Sequence, residues 1–274
     1  LQANEPSRWN EAGREVTLAV IAPSSLLPSF EPLRALRQSQ GHKVSLVALE
    51  DLYDEFSFGN AGPRAIRSFI GRLVREAVAA GEKPELSVLL GGDATFDPRN
   101  YLGLSEFEQV PTKVVGTRYL ETASDDWFGD LNEDGVPEVA IGRLPVRTQK
   151  EADAAVSKIV GYDEDQGPSG WRRRVLLVTD KDEGSGFSAS SEELKGLVPA
   201  KLEVDTVASG RLGPASARKR LLAALHDGRA VVDYVGHGSV ELWSGGQILK
   251  SADSSSLGNG ARLPLVVAMT CLNG

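Results

Sequence analysis

Short apolar runs alternate with helix-period segments along this chain. Val16–Ala22 (VTLAVIA), Lys43–Leu49 and Glu85–Leu90 (ELSVLL) read as strands. Between them Phe30–Gln38 reads as a helix. So does the segment opened by Pro63, where Ile66, Phe69, Ile70, Leu73 and Val74 recur at helical spacing. Residues 97–138 are rich in loops and acids, and then the alternation resumes. Strand Glu138–Ile141 and helix Lys150–Tyr162 come first, followed by a connector with Pro168, Gly170 and Trp171. Strand Val175–Thr179, helix Ser191–Leu197, strand Leu202–Val207 and helix Ala215–His226 continue it. Strands Ala230–Val235 and Leu263–Thr270 close the chain. This order predicts an α/β fold, a mostly parallel sheet flanked by helices. With the acidic loop as the boundary, the chain divides into a connector (1–15), a first α/β lobe (16–137) and a second lobe (138–274). No internal repeat of solenoid period is present.

Composition narrows the picture. The chain has 274 residues, 41% of them apolar and 25% charged, the profile of a globular protein. Its net charge is −8, and it has no basic cluster, which argues against nucleic acid as a partner. The longest apolar run, Leu263–Leu272, is broken by Pro264 and Thr270 and falls short of the ~20 residues that span a bilayer. The only cysteine, Cys271, forbids an internal disulfide and a cysteine-rich zinc site. The first residue is Leu1, no signal peptide is legible, and the sequence stops at Gly274, so a fragment or processed chain is expected.

Two segments put reactive side chains at strand ends, where doubly wound sheets bind ligands. In AVVDYVGHGS a strand runs into His237, flanked by glycines; in LPLVVAMTCLNG the cysteine ends a strand. A histidine titrating near pH ~6.5 can take a proton from a thiol and return it to a leaving amine. A cysteine beside such a base becomes a nucleophile. The competing reading is a turn histidine and a small buried cysteine without chemistry.

A second motif is Asp130-x-Asn132-x-Asp134-Gly135-x-x-Glu138. Oxygen side chains at alternating positions before a glycine turn suit calcium, with Val136 offering its carbonyl. The twelfth position is Ile141 rather than glutamate, so this is not an EF-hand. The alternative is a loop of Asx turns. Asp125 and Asp126 stand nearby. Asp93 and Asp97 in isolation would suggest a phosphate site, yet neither GxxxxGK[ST] nor GxGxxG is present. Trp127, Trp171 and Trp243 are expected to pack, Trp243 with the further option of walling a cleft.

GHGSVELW and LPLVVAMTCLNG resemble the histidine and cysteine motifs of the gingipain-type cysteine peptidases, relatives of caspases and legumain in fold. LLGGDATFDPRN, ETASDDWFGDLNEDGVPEVAIGRLPV and the run from Glu151 to Val178 are similar to bacterial members, so the resemblance covers the chain from about Val16 onward. It implies a caspase-like fold of two lobes, the first non-catalytic, and a cysteine endopeptidase acting on a protein or peptide substrate. Cys271 would be the nucleophile and His237 the general base and acid. The N–H groups of Gly238 and Cys271 would form the oxyanion hole. An acid after the strand Val175–Thr179 would orient the histidine, and Asp180 and Asp182 both stand there. Gly186–Ser191, where gingipains carry a specificity acid, has none before Glu192 and Glu193, so basic specificity is not inherited. The resemblance also implies a secreted or cell-surface setting, and a C-terminal segment of the same domain as a partner. A sortase-like transpeptidase and a non-catalytic binding module remain alternatives.

Overall fold

The structure, a computed structural model, describes residues 7–271 except 12, 14, 82, 84, 104–107, 119, 166 and 168. Residues 1–6 of the expected connector, Pro168, and Leu272, Asn273 and Gly274 of the cysteine motif lie outside the described residues. The chain forms two compact units, residues 1–160 and 161–274.

In the first unit, β1 (Leu18–Ala22) leads through α1 (Glu31–Ser39) to β2 (Val44–Ala48). Helices α2 (Leu49–Ser57) and α3 (Pro63–Ala79) then lead to β3 (Ser87–Gly91). A hairpin of β4 (Lys113–Gly116) and β5 (Glu121–Ser124) precedes β6 (Ala140–Leu144) and α4 (Gln149–Glu164), whose last turn lies past the end of this unit at Val160. The sheet order is β2-β1-β3-β6, with every pair parallel. Strand side chains alternate between two cores. Ala19 and Ile21 face Ile66, Phe69 and Ile70 of α3, whereas Val20 and Ala22 face Phe30, Leu33 and α4's Val156.

The expected boundary at 137/138 therefore moves. Ala140 pairs with Ser87 and Leu144 with Gly91, so the strand after the acidic loop completes the first sheet instead of opening a second. Ala152 and Val156 of the next helix cover that sheet. Burial of these apolar faces puts the division after Val160.

The second unit has β7 (Arg174–Thr179), α5 (Phe187–Leu197), β8 (Glu203–Ala208), the short α6 (Ser209–Leu212), α7 (Pro214–Asp227) and β9 (Val231–Val235). A small antiparallel sheet of β10 (Gly238–Ser239), β11 (Leu242–Trp243) and β12 (Leu249–Lys250) comes before β13 (Leu265–Met269). The main order is β13-β9-β7-β8, all parallel. One face packs Leu176, Val178, Val232 and Tyr234 on Ala217, Leu221 and Leu225 of α7. In the described structure β13 is an edge strand whose five residues are all exposed.

Candidate active site

Strands β9 and β13 pair in register from Val231↔Leu265 to Val235↔Met269. Two residues beyond that last pair stand His237 on one strand and Cys271 on the other. The Gly236 N–H donates to the Met269 carbonyl at 3.3 Å, so the ladder persists to the residue before the histidine. Neighbouring strands run ~4.8 Å apart. Parallel pairing therefore delivers both residues to the same end of the sheet, its carboxyl end. Both are exposed, so Cys271 is not the buried small hydrophobe of the competing reading.

The turn into His237 is built around Gly236. A Cβ there would lie 2.5 Å from Asp180 Cβ and 2.6 Å from the Tyr234 hydroxyl, so no larger residue fits. The His237 carbonyl accepts hydrogen bonds from the Tyr234 hydroxyl at 2.6 Å and from the Ser244 N–H at 2.7 Å. Tyr234 stacks on Trp243, with ring centroids 4.3 Å apart, which puts Trp243 in the core and not in a cleft wall. Burial, with Asp180 nearby, raises the Tyr234 hydroxyl's pKa and keeps it a donor. The His237 ring meets the Phe187 ring edge to face at 5.1 Å.

Neither candidate acid bonds the imidazole. Asp180 is buried, its N–H donates to the Val235 carbonyl, and its Oδ1 accepts from the Lys181 N–H, the Ser209 hydroxyl and the Ser244 hydroxyl. It reaches His237 through Ser244 and through its contact with Gly236. Asp182 accepts the N–H groups of Gly186 and Phe187 at 2.6 and 3.1 Å, holding the first turn of α5. Desolvation pushes its carboxyl up, but these amides, with the Ser188 amide and hydroxyl, outweigh it and hold the carboxyl below the usual range. Its link to the histidine runs through Phe187. Tyr234, Ser244 and Phe187 carry no sequence signal of this role; only strand alternation, which turns Tyr234 inward, hints at one. Gly238 opens β10 and pairs with Trp243.

Asp233, one strand step from the core-facing Tyr234, is buried, and among the described residues its Oδ2 has no hydrogen-bond partner. Burial pushes its carboxyl up.

The acidic loop belongs to the first unit. Asp130 accepts the N–H groups of Asp134 and Gly135, Asn132 that of Asp134, and Asp134 that of Val136. Glu138 accepts the Leu131 N–H and the Asn132 side-chain amide. The donors are all oxygen, as a hard cation needs, but here they are turned onto the loop's own amides. Among the described residues no three His, Cys, Asp or Glu side chains are gathered as a metal site would require. Asp93 pairs with Arg147, Asp125 makes a two-pronged pair with Arg143, and Asp97 accepts the Tyr101 and Leu102 N–H groups, all structural contacts.

Comparison with known proteins agrees with this architecture. The family model of peptidase family C25 matches residues 11–274. Gingipain R2 of Porphyromonas gingivalis is 24% identical over 191 residues, 67% of this chain and 25% of that protein. Gingipain R1 of the same organism matches equally, over 18% of its length. The chain thus spans a quarter or less of these curated relatives. The crystal structure of the Arg-specific cysteine proteinase gingipain R superposes with a TM-score of 0.73 at 18% identity, over 98% of this chain and 56% of that one. Dimeric latent PorU of P. gingivalis is 30% identical, with a TM-score of 0.52, over 58% of this chain and 17% of that one. The fold is that of the gingipain structures, and the chain belongs to peptidase family C25.

Proposed function

We propose that this chain is the catalytic part of a cysteine endopeptidase that cleaves peptide bonds through Cys271 and His237. The equal offset of these two residues beyond the Val235↔Met269 pair is the observation that supports the pairing. His237 takes the thiol proton, the thiolate adds to the scissile carbonyl, and the N–H groups of Gly238 and Cys271 bond the oxyanion. The imidazolium then protonates the leaving amine, and water, activated by the same imidazole, hydrolyses the acyl-enzyme. Transfer to an amine would need the same nucleophile and differs only in the acceptor. Asp180 and Asp182 act on the histidine indirectly in this proposal, as positioning groups.

The same proposal includes a secreted or cell-surface setting, by resemblance to the gingipains, and calcium held by Asp130, Asn132, Asp134, Glu138 and the Val136 carbonyl. It further includes a segment of the same protein that covers β13. No helix among the described residues is long and apolar enough to cross a membrane. The decisive experiment is thiol alkylation combined with peptide cleavage. Labelling of Cys271 is expected to be rapid and stoichiometric, and to slow sharply in His237→Ala. In the whole protein, Cys271→Ala and His237→Ala should each lower kcat by at least about 10³-fold. Alkylation indifferent to His237, or turnover persisting in either variant, would leave only a binding module.

A further inference from the structure

The first unit carries a groove of about 780 Å³ to which the peptidase reading assigns no role. One wall is the face of α3 turned away from the core, where Arg64, Arg67, Gly71 and Arg75 follow one another at helical spacing. The other wall holds Lys113 and Trp127. Between the walls the floor is apolar: Val74 and Leu131 are half-buried side chains packed on the core beneath. Arg67 is already engaged, stacked on Trp127 at 4.5 Å and paired with Glu133 at 2.9 Å. Lys113 lies over the same ring at 5.4 Å. Glu138 is occupied by the Leu131 N–H and the Asn132 amide. Arg64 and Arg75 are exposed and make no ion pair among the described residues. On a chain of net charge −8, two open guanidinium groups over an apolar floor form a local basic site.

We infer that this groove binds an extended acidic peptide segment, with one carboxylate on Arg64, a second on Arg75, and an apolar side chain between them on the floor. Arg64 and Arg75 are eleven positions apart on α3, which is about 16 Å along a helix. An extended peptide rises ~3.3 Å per residue, so carboxylates about five residues apart span the backbone separation of the two arginines, whose flexible side chains set the final reach. The guanidinium fork suits carboxylates because it donates two parallel N–H groups to each. Gly71 lets Arg75 and Leu131 lie close over the helix; a Cβ there would stand 3.2 Å from the far end of Arg75 and 3.7 Å from Leu131. The apolar floor favours a peptide over phosphate or an anionic polysaccharide, neither of which brings an aliphatic group. This inference stands on the first unit alone and is independent of Cys271.

The test is titration calorimetry with an acetylated, amidated hexapeptide carrying glutamate at both ends and leucine at its third position. Binding is expected to weaken at least about tenfold when the glutamates become glutamines, and equally in the double variant Arg64→Gln, Arg75→Gln. Both arginines are exposed and unpaired, so the fold should persist, which circular dichroism checks. Gly71→Leu keeps every charge but fills the groove, and is expected to abolish binding; should it fail to fold, the arginine pair decides alone. Equal binding of the glutamine peptide, or unchanged binding in the arginine variant, overturns the inference. So does binding of heparin, but not of the peptide, at the same arginines.

Discussion

At His237 the backbone is held from two sides, by a core tyrosine and by a serine bound to a buried acid. Ser244 supplies one N–H to the His237 carbonyl and its hydroxyl to Asp180. Removing that hydroxyl takes a donor from a buried carboxylate, which costs about 1–3 kcal/mol. Ser244→Ala should therefore lower Tm and, by loosening the histidine turn, slow Cys271 alkylation. Ser244 has a left-handed φ of 67°, so Ser244→Gly, which keeps that backbone and lacks the hydroxyl, should slow alkylation as much as Ser244→Ala does. An alkylation rate unchanged in Ser244→Ala would separate this network from the chemistry. Asp233 gives a pH signature. Burial raises its folded-state pKa, so the folded protein holds that proton more tightly than the unfolded chain does. Stability is then lost as pH climbs from the unfolded value of about 4 through the raised folded value. Asp233→Asn removes this penalty, and thermal melts should show its advantage growing from pH 4 to pH 7; an advantage constant with pH would refute the cause. His237 and Cys271 were legible in the sequence because glycines and strand ends mark them. Asp180 was legible as an acid but not in its contacts, because a carboxylate's partners depend on Ser209 and Ser244, far away along the chain.

Elements were easier to read than their partners. Strands with long apolar runs, such as Val175–Thr179 and Ala230–Val235, were found within a residue or two, since parallel strands buried on both faces have no competing pattern. Helix α2 is hidden in the sequence pattern because it starts at Leu49, the last residue of the apolar run that reads as a strand, without a break. The hairpin of β4 and β5 and the small sheet after His237 were missed because strands of two to four residues carry too few positions for alternation to show. The acidic loop was read from its oxygen pattern, and its amide bonds are the Asx turns that the same pattern allows. The calcium proposal requires those carboxylates to turn from their amides onto the ion. Millimolar calcium is then expected to raise Tm, as any ligand of the folded state does, and Asp130→Ala with Asp134→Ala should abolish the rise. A Tm indifferent to calcium would leave the loop as a set of turns.

Across the whole molecule, the sequence pattern puts the boundary between units too early because an acidic, loop-rich stretch looks like a linker. Here it is an excursion between β3 and β6, neighbours in one sheet. Composition marks where a chain meets water, not which sheet the next strand joins. The second unit leaves Leu265 and Met269 of its edge strand 64% and 56% exposed. Apolar edges pair with other chains. Light scattering of these 274 residues should show association that grows with concentration, and a longer piece of the same protein should suppress it while raising kcat/KM. Monomeric behaviour and equal activity in both would remove the covering segment from the proposal.

The order β13-β9-β7 places the histidine on an inner strand and the cysteine on an outer one. The two halves of the proposed pair therefore belong to parts of the sheet with unequal resistance to local opening. Among the described residues, β9 has a neighbour on each side, whereas β13, which leads to Cys271, is held by β9 alone. If the proposed pair is the catalytic one, its assembly depends on the docking of that one strand rather than on any movement of the histidine.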